Sequence, residues 1–164
     1  ELARRAGTVL RVGRDHAMTA DVRIGEKSVV LAFPTTYMND SGRAVAALMR
    51  RNGVTSDRIV IVHDELDLPP ATVRVKVGGG LAGHNGLRSI VQHLRTQDFA
   101  RVRIGVGKPP SKEHGARHVL SGMSRNDREL MDVAIGEAAD AVEMLLGEGA
   151  QAAMQRYNTR TPAP

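Results

Sequence analysis

The chain has 164 residues, 41% hydrophobic and 25% charged, which is the composition of one ordinary globular domain and excludes a disordered chain. It has no cysteine, which excludes disulfide bonds, thiolate catalysis and zinc–thiolate sites, and it has no apolar run long enough to span a bilayer. The formal charge of +5 favours a polyanionic partner, whereas an aromatic content of 2% argues against a single-strand binder built on stacked bases.

The N-terminal third of the chain predicts a helix end, short strands and one amphipathic helix. Residues 1–7 are typical of the last turns of a helix, with cations before a glycine but no N-cap, so we expect an N-terminal segment to be missing. Short β-type runs follow at 8–12, 21–24 and 27–33. A turn at 25–26 is expected to join the last two. Ser41 is the expected N-cap of a helix that Gly53 ends.

The middle of the chain predicts alternating strands and helices. A buried strand at 59–62 is expected to end at an acidic cluster. An alternating run at 73–77 leads through a glycine-rich loop into an amphipathic helix. A further strand at 101–107 completes the order strand, helix, strand, for which right-handed βαβ packing is expected.

The C-terminal part predicts two helices. Residues 108–115 are expected to form a polar loop, after which Ser124 and the acidic residue three positions later resemble a capping box. The long helix that they open is expected to stop at Gly147 or Gly149, and a last short helix to cover residues 150–157.

The acidic cluster consists of His63, Asp64, Glu65 and Asp67, and it follows a strand end, where α/β sheets collect their chemistry. Three uses are open: a divalent metal site, orientation of a catalytic base by Asp64, or capping of the loop. Consecutive strand residues point to alternate sides and the spacing matches no known metal motif, so we expect no metal. Orientation of a base requires a histidine partner nearby.

Arg74 and Lys76 lie on one face of the alternating run, about 7 Å apart, a spacing that suits a phosphate group. The plain alternative is a solvated strand face. The glycine-rich loop adds backbone N–H groups and the positive end of a helix, although it matches neither a dinucleotide fingerprint nor a Walker A motif. At the helix start, His84 and Asn85 are either caps or groups presented for recognition.

Asn39 follows a tyrosine and a methionine in a polar loop. It is either a turn former or a side-chain amide that polarises a carbonyl group. The other histidines, His16, His93, His114 and His118, are expected to be surface or packing residues.

Four motifs carry a resemblance to a known family. They are FPTTYMNDSG at 33–42, HDELD at 63–67, GGGLAGHNGLRS at 78–89 and FARVRIGVG at 99–107. In this order and at these spacings they resemble bacterial-type peptidyl-tRNA hydrolase over nearly the whole chain. The resemblance implies a single α/β domain with a mixed twisted sheet flanked by helices. It also implies hydrolysis of the ester between peptide and tRNA, which recycles tRNA from aborted translation.

The resemblance assigns roles near the scissile ester. Asp64 matches the aspartate that supports the basic form of a catalytic histidine. Tyr37, Asn39 and Asn85 match positions that contact the peptidyl portion and the 3′ end of the substrate, and His84 is counted with them as a substrate-binding residue. Asn39 is also expected to take part in catalysis by donating to the developing oxyanion.

The resemblance also assigns the basic residues. Arg74 and Lys76 match the pair that holds the tRNA 5′-phosphate, and Arg103 matches a further basic position on the tRNA-facing side. The implied partner is therefore the acceptor end of peptidyl-tRNA. No metal, other cofactor or membrane partner is expected. The protein is expected to be a cytoplasmic monomer.

The chain departs from the family pattern at its start. The family opens with a strand, a loop of Gly-Asn-Pro-Gly type and a Thr-Arg-His-Asn motif bearing the general base, and none of these is present. We therefore expect the domain to be N-terminally truncated and to lack its catalytic histidine. Ala82 also replaces a glycine that is usual in the glycine-rich loop.

Two rival functions remain. The first is a catalytically inactive RNA-binding paralogue that keeps Arg74, Lys76 and Asn85 without the base. The second is a metal-dependent phosphoesterase using Asp64, Glu65 and Asp67, which would need divalent ions and lose activity to chelators. Turnover in the presence of a chelator separates the metal-dependent enzyme from the others.

Overall fold

The structure, a computed structural model, describes residues 1–108 and 122–160. The chain divides into two compact units, one formed by Glu1–Ile59 with Gly78–Phe99 and the other by Val60–Val77 with Ala100–Pro164. The α/β class with helices flanking a mixed sheet is confirmed. No helix within the described ranges is long and apolar enough to cross a membrane. The expected polar loop at 108–115 falls almost wholly outside the described residues.

The first unit contains an antiparallel sheet whose strands follow one another in order. The short helix α1 spans Leu2–Arg5, and the strands are β1 (Arg11–Val12), β2 (Ala17–Ile24) and β3 (Lys27–Pro34). The predicted hairpin is confirmed, because Ile24 pairs with Lys27 across a turn in which Gly25 has a φ of 59°. Strand β1 is shorter than predicted, and β2 begins four residues earlier than the alternation indicated.

Two helices complete this unit, α2 (Ser41–Asn52) and α3 (Asn85–Leu94), and they pack against each other. Gly53 ends α2 in the left-handed conformation, as predicted. The expected N-cap is wrong by one residue, since Asp40 is the N-cap and Ser41 is the first helical residue. The physical reason is the 3-10 turn Met38–Asp40, which runs directly into α2, so that the Ser41 hydroxyl donates back to the Met38 carbonyl at 2.7 Å.

The second unit is built on a mixed sheet of order β4-β6-β5. Strand β4 spans Val60–Glu65, β5 spans Val73–Val77 and β6 spans Ala100–Gly105. The central strand β6 is parallel to β4 and antiparallel to β5. The βαβ packing expected of the strands on either side of α3 is wrong, because β5 and β6 are antiparallel neighbours. The strand parallel to β6 is β4.

The second unit also contains α4 (Arg125–Glu148) and α5 (Ala150–Asn158). Ser124 caps α4 by accepting a hydrogen bond from the Asp127 N–H at 3.2 Å, which confirms Ser124 as the N-cap, and α4 ends before Gly149. Helix α4 contacts β5 and β6, and α5 contacts β5. The buried core of this unit includes Val75 and Val102, which are paired across the sheet.

Candidate functional site

The predicted site residues divide between the two units. Tyr37, Asn39, His84 and Asn85 belong to the first unit, and Asp64, Arg74, Lys76 and Arg103 belong to the second. Each unit therefore holds part of the predicted site.

In the first unit, the turn before α2 presents two of the predicted side chains to solvent. Tyr37 is 87% exposed, and Asn39 is exposed in the middle of the 3-10 turn Met38–Asp40. The hydrogen bond from the Ser41 hydroxyl to the Met38 carbonyl holds the turn against the start of α2. The phenol and the amide are therefore carried by ordered backbone and are accessible to a ligand.

The glycine-rich loop leads into α3, where the structure separates the roles of two adjacent residues. His84 is the N-cap, and its Nδ1 accepts a hydrogen bond from the Leu87 N–H at 3.1 Å. Asn85 is the first helical residue and is exposed. The preceding Gly83 has a φ of 74°, and Ala82 also has a positive φ of 49°, a conformation that glycine adopts more easily. The capping interpretation thus describes His84, while the Asn85 side chain faces solvent.

The turn that carries Asn39 and the helix start that carries Asn85 are in contact. A Cβ atom added at Gly86 would lie 2.7 Å from the sulfur of Met38, so glycine at position 86 permits this approach. Asn39 follows Met38 and Asn85 precedes Gly86 in the chain, so the two asparagines are held on neighbouring backbone segments. A side-chain amide on either segment can donate to a carbonyl group or an oxyanion.

The contact is reinforced deeper in the unit. The Gly42 N–H, which belongs to the first turn of α2 and has no partner within the helix, donates to the buried Ser89 hydroxyl at 2.9 Å. A Cβ atom at Gly42 would clash with the Ser89 carbonyl and with Nδ1 of His93. His93 is an exposed residue with Nδ1 2.9 Å from the Ser89 carbonyl oxygen, which agrees with the surface or packing role expected of it. His16 is exposed, whereas His114 and His118 lie outside the described residues.

In the second unit, four cations share one face of the sheet. On the central strand, Arg101 lies opposite Lys76 and Arg103 lies opposite Arg74. Directly opposed residues of neighbouring strands point to the same side of a sheet. The structure therefore brings together the three predicted cations and adds Arg101, which was not among the predicted site residues. The signal for it was available, because Arg101 is in phase with Arg103 along the strand.

The electrostatics of this cationic face depend on burial. Arg101 is only 1% exposed, and burial lowers its pKa, an effect that the charge of Arg103 increases and Glu65 opposes. Glu65 is 7% exposed and forms an ion pair with Arg103, at 3.7 Å between Oε1 and Nη1. One buried carboxylate thus interacts with Arg101 and Arg103 on a face that carries four cations, which leaves a positive field suited to an anionic ligand.

The acidic cluster lies at the carboxyl end of β4, as predicted, but the strand continues three residues beyond the predicted end and includes His63, Asp64 and Glu65. Asp64 lies opposite Ile104 and so faces the other side of the sheet from His63 and Glu65. Nδ1 of His63 is 2.7 Å from the Asp64 carbonyl oxygen. Asp67, beyond the strand, is exposed and pairs with Lys108 at 3.6 Å. Over residues 1–108 and 122–160, no three His, Asp or Glu side chains converge as a metal site would require.

Comparison with known proteins gives consistent matches. The family model described as peptidyl-tRNA hydrolase matches residues 1–164. The chain is 44% identical over 161 residues to a peptidyl-tRNA hydrolase of Arthrobacter sp. (strain FB24), covering 97% of this chain and 83% of that protein. It is 48% identical over 136 residues to one of Rhodococcus erythropolis, covering 83% of this chain and 72% of that protein.

Solved structures agree with these sequence matches. The chain is similar to the crystal structure of peptidyl-tRNA hydrolase from Acinetobacter baumannii at 1.00 Å resolution. The TM-score is 0.91 at 40% identity, and the match covers 99% of this chain and 83% of that one. The matches agree with the resemblance seen in the sequence motifs. They give no support to the further expectation of a missing strand and histidine motif, because they cover nearly all of this chain.

Proposed function

The chain belongs to the peptidyl-tRNA hydrolase family, and from that premise we propose that it hydrolyses the ester bond between peptide and tRNA in peptidyl-tRNA. The released tRNA returns to translation. The observation that carries the proposal is the family match over residues 1–164, whose motif positions include two exposed amides in one unit and a cationic sheet face in the other. Amide donors suit the developing oxyanion of ester hydrolysis, and a cationic face suits a polyanionic substrate.

For the chemical step, the proposal assigns a general base and oxyanion donors. A histidine held in its basic form by Asp64 removes a proton from water as the water attacks the ester carbonyl, a contribution of about 10²–10⁴-fold in rate. The amides of Asn39 and Asn85 donate to the developing oxyanion, and their support on adjoining backbone favours this role. Tyr37 and His84 contact the peptidyl portion and the 3′ end of the substrate.

The identity of the general base is the last part of the proposed mechanism. The family resemblance implies the histidine of a Thr-Arg-His-Asn motif, and residues 1–164 contain no such motif. His84 is the histidine within the motifs that could replace it, but its Nδ1 is occupied in capping α3, which favours a structural role.

For substrate recognition, the proposal assigns the tRNA phosphates to the cationic face. Lys76, Arg74 and Arg103 supply the positive field, with the 5′-phosphate of the acceptor end as the group bound there. Binding through phosphates weakens steeply with salt, by a slope of about 0.7–0.9 in log affinity against log salt for each contact. We also propose that the protein acts in the cytoplasm as a monomer.

The test is release of peptide from an N-acetylated aminoacyl-tRNA by the purified protein, with and without a chelator. Turnover that persists with chelator and falls at least about 100-fold in Asp64→Asn supports the proposal. Loss of turnover with chelator instead indicates the metal-dependent phosphoesterase. Turnover that disappears in His84→Ala but survives in Asp64→Asn moves the base to the glycine-rich loop.

The alternative to the enzyme is an inactive tRNA-binding paralogue, which would use the cationic face without ester hydrolysis. This candidate predicts salt-dependent tRNA binding with no ester hydrolysis by the wild-type protein. A binding measurement run beside the turnover assay therefore separates it from the enzyme.

A further inference from the structure

The outer edge of strand β5 is occupied by a side chain from the end of α5. Asn158 accepts a hydrogen bond from the Val75 N–H at 2.9 Å through Oδ1 and donates to the Val75 carbonyl at 2.8 Å through Nδ2. A carboxamide in this position makes the pair of bonds that a neighbouring strand would make. Asn158 therefore completes the sheet edge next to Lys76 and holds β5 from the side that β6 does not reach.

Arg74 is directed to the same helix end. Its Nη1 donates to the Tyr157 carbonyl at 3.1 Å and to the Val73 carbonyl at 2.9 Å, and its Nη2 donates to the Arg160 carbonyl at 2.8 Å. Carbonyls at the C-terminal end of a helix lack partners within the helix and carry partial negative charge, so a guanidinium group there is favourable. Three donor contacts of Arg74 are thus used within the protein.

The helix end is itself fixed to the unit. Tyr157 is 4% exposed, and the Arg160 guanidinium lies 6.0 Å from the centre of its ring. Arg160 also pairs with Glu137 of α4, at 3.6 Å between Nη1 and Oε1. The Tyr157 and Arg160 carbonyls that receive Arg74 consequently belong to residues that also contact each other and α4.

We propose that Asn158 at the end of α5 is part of the tRNA-binding machinery and that the two cations of β5 have different tasks. Lys76 contacts a substrate phosphate, whereas Arg74 and Asn158 are positioning residues that hold β5 so that the Lys76 ammonium group is presented correctly. The proposal rests on the proposed function and assigns within it what each basic residue does.

The physical reason is the shared strand. Lys76 is the residue after Val75 and lies two residues from Arg74 on the same face, so any shift of the strand at these positions displaces its ammonium group. An edge strand held only by β6 is free to twist or fray, because half of its backbone groups face outward. The hydrogen bonds of Asn158 and Arg74 remove that freedom by joining β5 to residues that lie 83 positions later in the chain.

The distinguishing experiment measures affinity for a tRNA acceptor-stem duplex as a function of salt, with a 5′-phosphate or a 5′-hydroxyl group on the RNA. Lys76→Ala is expected to weaken binding of the 5′-phosphorylated duplex about tenfold at low salt and to reduce the salt slope by about 0.7–0.9, the value for one phosphate contact. Asn158→Ala removes no charge, yet it is expected to reduce the slope by a similar amount. Neither variant should change binding of the 5′-hydroxyl duplex.

Arg74→Lys provides a second variant that keeps the charge. A lysine can contact a phosphate, but it lacks the planar fork that bonds several carbonyls at once. Arg74→Lys is therefore expected to weaken binding of the 5′-phosphorylated duplex as much as Arg74→Ala. Thr159→Ala is the matched control, because it removes a hydrogen bond to the Gln155 carbonyl at the same helix end without touching β5. It should leave the salt slope unchanged.

Two outcomes would overturn the proposal. One is an unchanged salt slope in an Asn158→Ala protein that circular dichroism shows to be folded. The other is wild-type affinity of the Arg74→Lys protein, which would make Arg74 a direct phosphate contact. If Asn158→Ala does not fold, Arg74→Lys decides alone. Ester turnover by the wild-type protein is measured in parallel, so that absence of hydrolysis with intact phosphate-dependent binding counts against the enzyme and leaves the division of roles standing.

Discussion

The residues expected to face substrate are held in opposite ways in the two units. In the first unit, Asn39 and Asn85 are uncharged, and their backbone is fixed by close approach at Gly42 and Gly86. In the second unit, the cations are set by cross-strand register, and their charge is only partly balanced by Glu65. The first arrangement has little room for an added methyl group, whereas the second is sensitive to the loss of one charge.

The largest expected effect comes from adding a methyl group to the first arrangement. Gly42→Ala should lower the free energy of unfolding by about 3 kcal/mol, because the new Cβ meets the Ser89 carbonyl, which is backbone and cannot turn away. Gly136→Ala is the matched control, since a Cβ there meets nothing within 4 Å and alanine is the better helix former. Urea denaturation measures both variants, and equal stability of the two would refute the close-approach argument.

The second effect comes from removing a charge. Glu65→Gln should lower the free energy of unfolding by about 2 kcal/mol, because the guanidinium groups of buried Arg101 and half-buried Arg103 lose the carboxylate near them. Asp67→Asn removes a carboxylate from an exposed pair and should change stability by less than about 0.5 kcal/mol. Thermal unfolding measures the stability of both variants. A Glu65→Gln protein as stable as wild type would show that the cationic face does not need the Glu65 carboxylate for stability.

The same contrast explains which features the sequence predicts. Local chemistry identifies the hairpin at 25–26, the bounds of β5, the end of α2 at Gly53 and the cap at Ser124. Each is decided by residues a few positions apart. Alternation also predicts that Arg74 and Lys76 share one face, and the cross-strand register with β6 confirms it.

The errors come from contacts between residues far apart in sequence. His63, Asp64 and Glu65 are expected beyond the strand because polar residues usually mark its end, but β4 continues, and Glu65 is buried near cations 36 and 38 residues later. Asn158 gives no signal at all, since nothing in a C-terminal helix indicates a bond to Val75. Site residues are therefore identified by type and motif, whereas their partners require the fold.

The third effect tests the hydrogen bond beneath the two asparagines. Ser89→Ala leaves the buried Gly42 N–H without an acceptor and should cost about 1.5 kcal/mol in the free energy of unfolding. Ser124→Ala removes a hydroxyl that accepts an N–H at an exposed helix start, where water replaces it, and should cost less. If peptide release falls in Ser89→Ala beyond the loss of folded protein, the bond also positions Asn39 and Asn85. Unchanged kinetics would limit Ser89 to stability.

The smallest effect concerns charge in the first unit, where it is peripheral. Asp15 forms an ion pair with Arg51, and the hydrogen bond from that guanidinium lowers the pKa of Asp15 below its usual value. A lowered carboxyl pKa stabilises the folded protein above the unfolded-state pKa of about 3.9, and the stabilisation is lost as pH falls through the lower folded-state value. Wild type should therefore be slightly more stable than Arg51→Ala at pH 7, and the difference should close below about pH 4.

Arg50→Ala is the control for this pH dependence, because Arg50 is the preceding residue of α2 and is not among the groups that shift Asp15. Its difference from wild type should not vary with pH over the same range. Because both members of the Asp15–Arg51 pair are close to solvent, salt should also reduce the effect of Arg51→Ala. The effect of Glu65→Gln should persist in salt, since buried charges are screened much less. If salt instead abolishes both effects alike, the cationic face is hydrated like an ordinary surface, and the contrast between the two units does not hold.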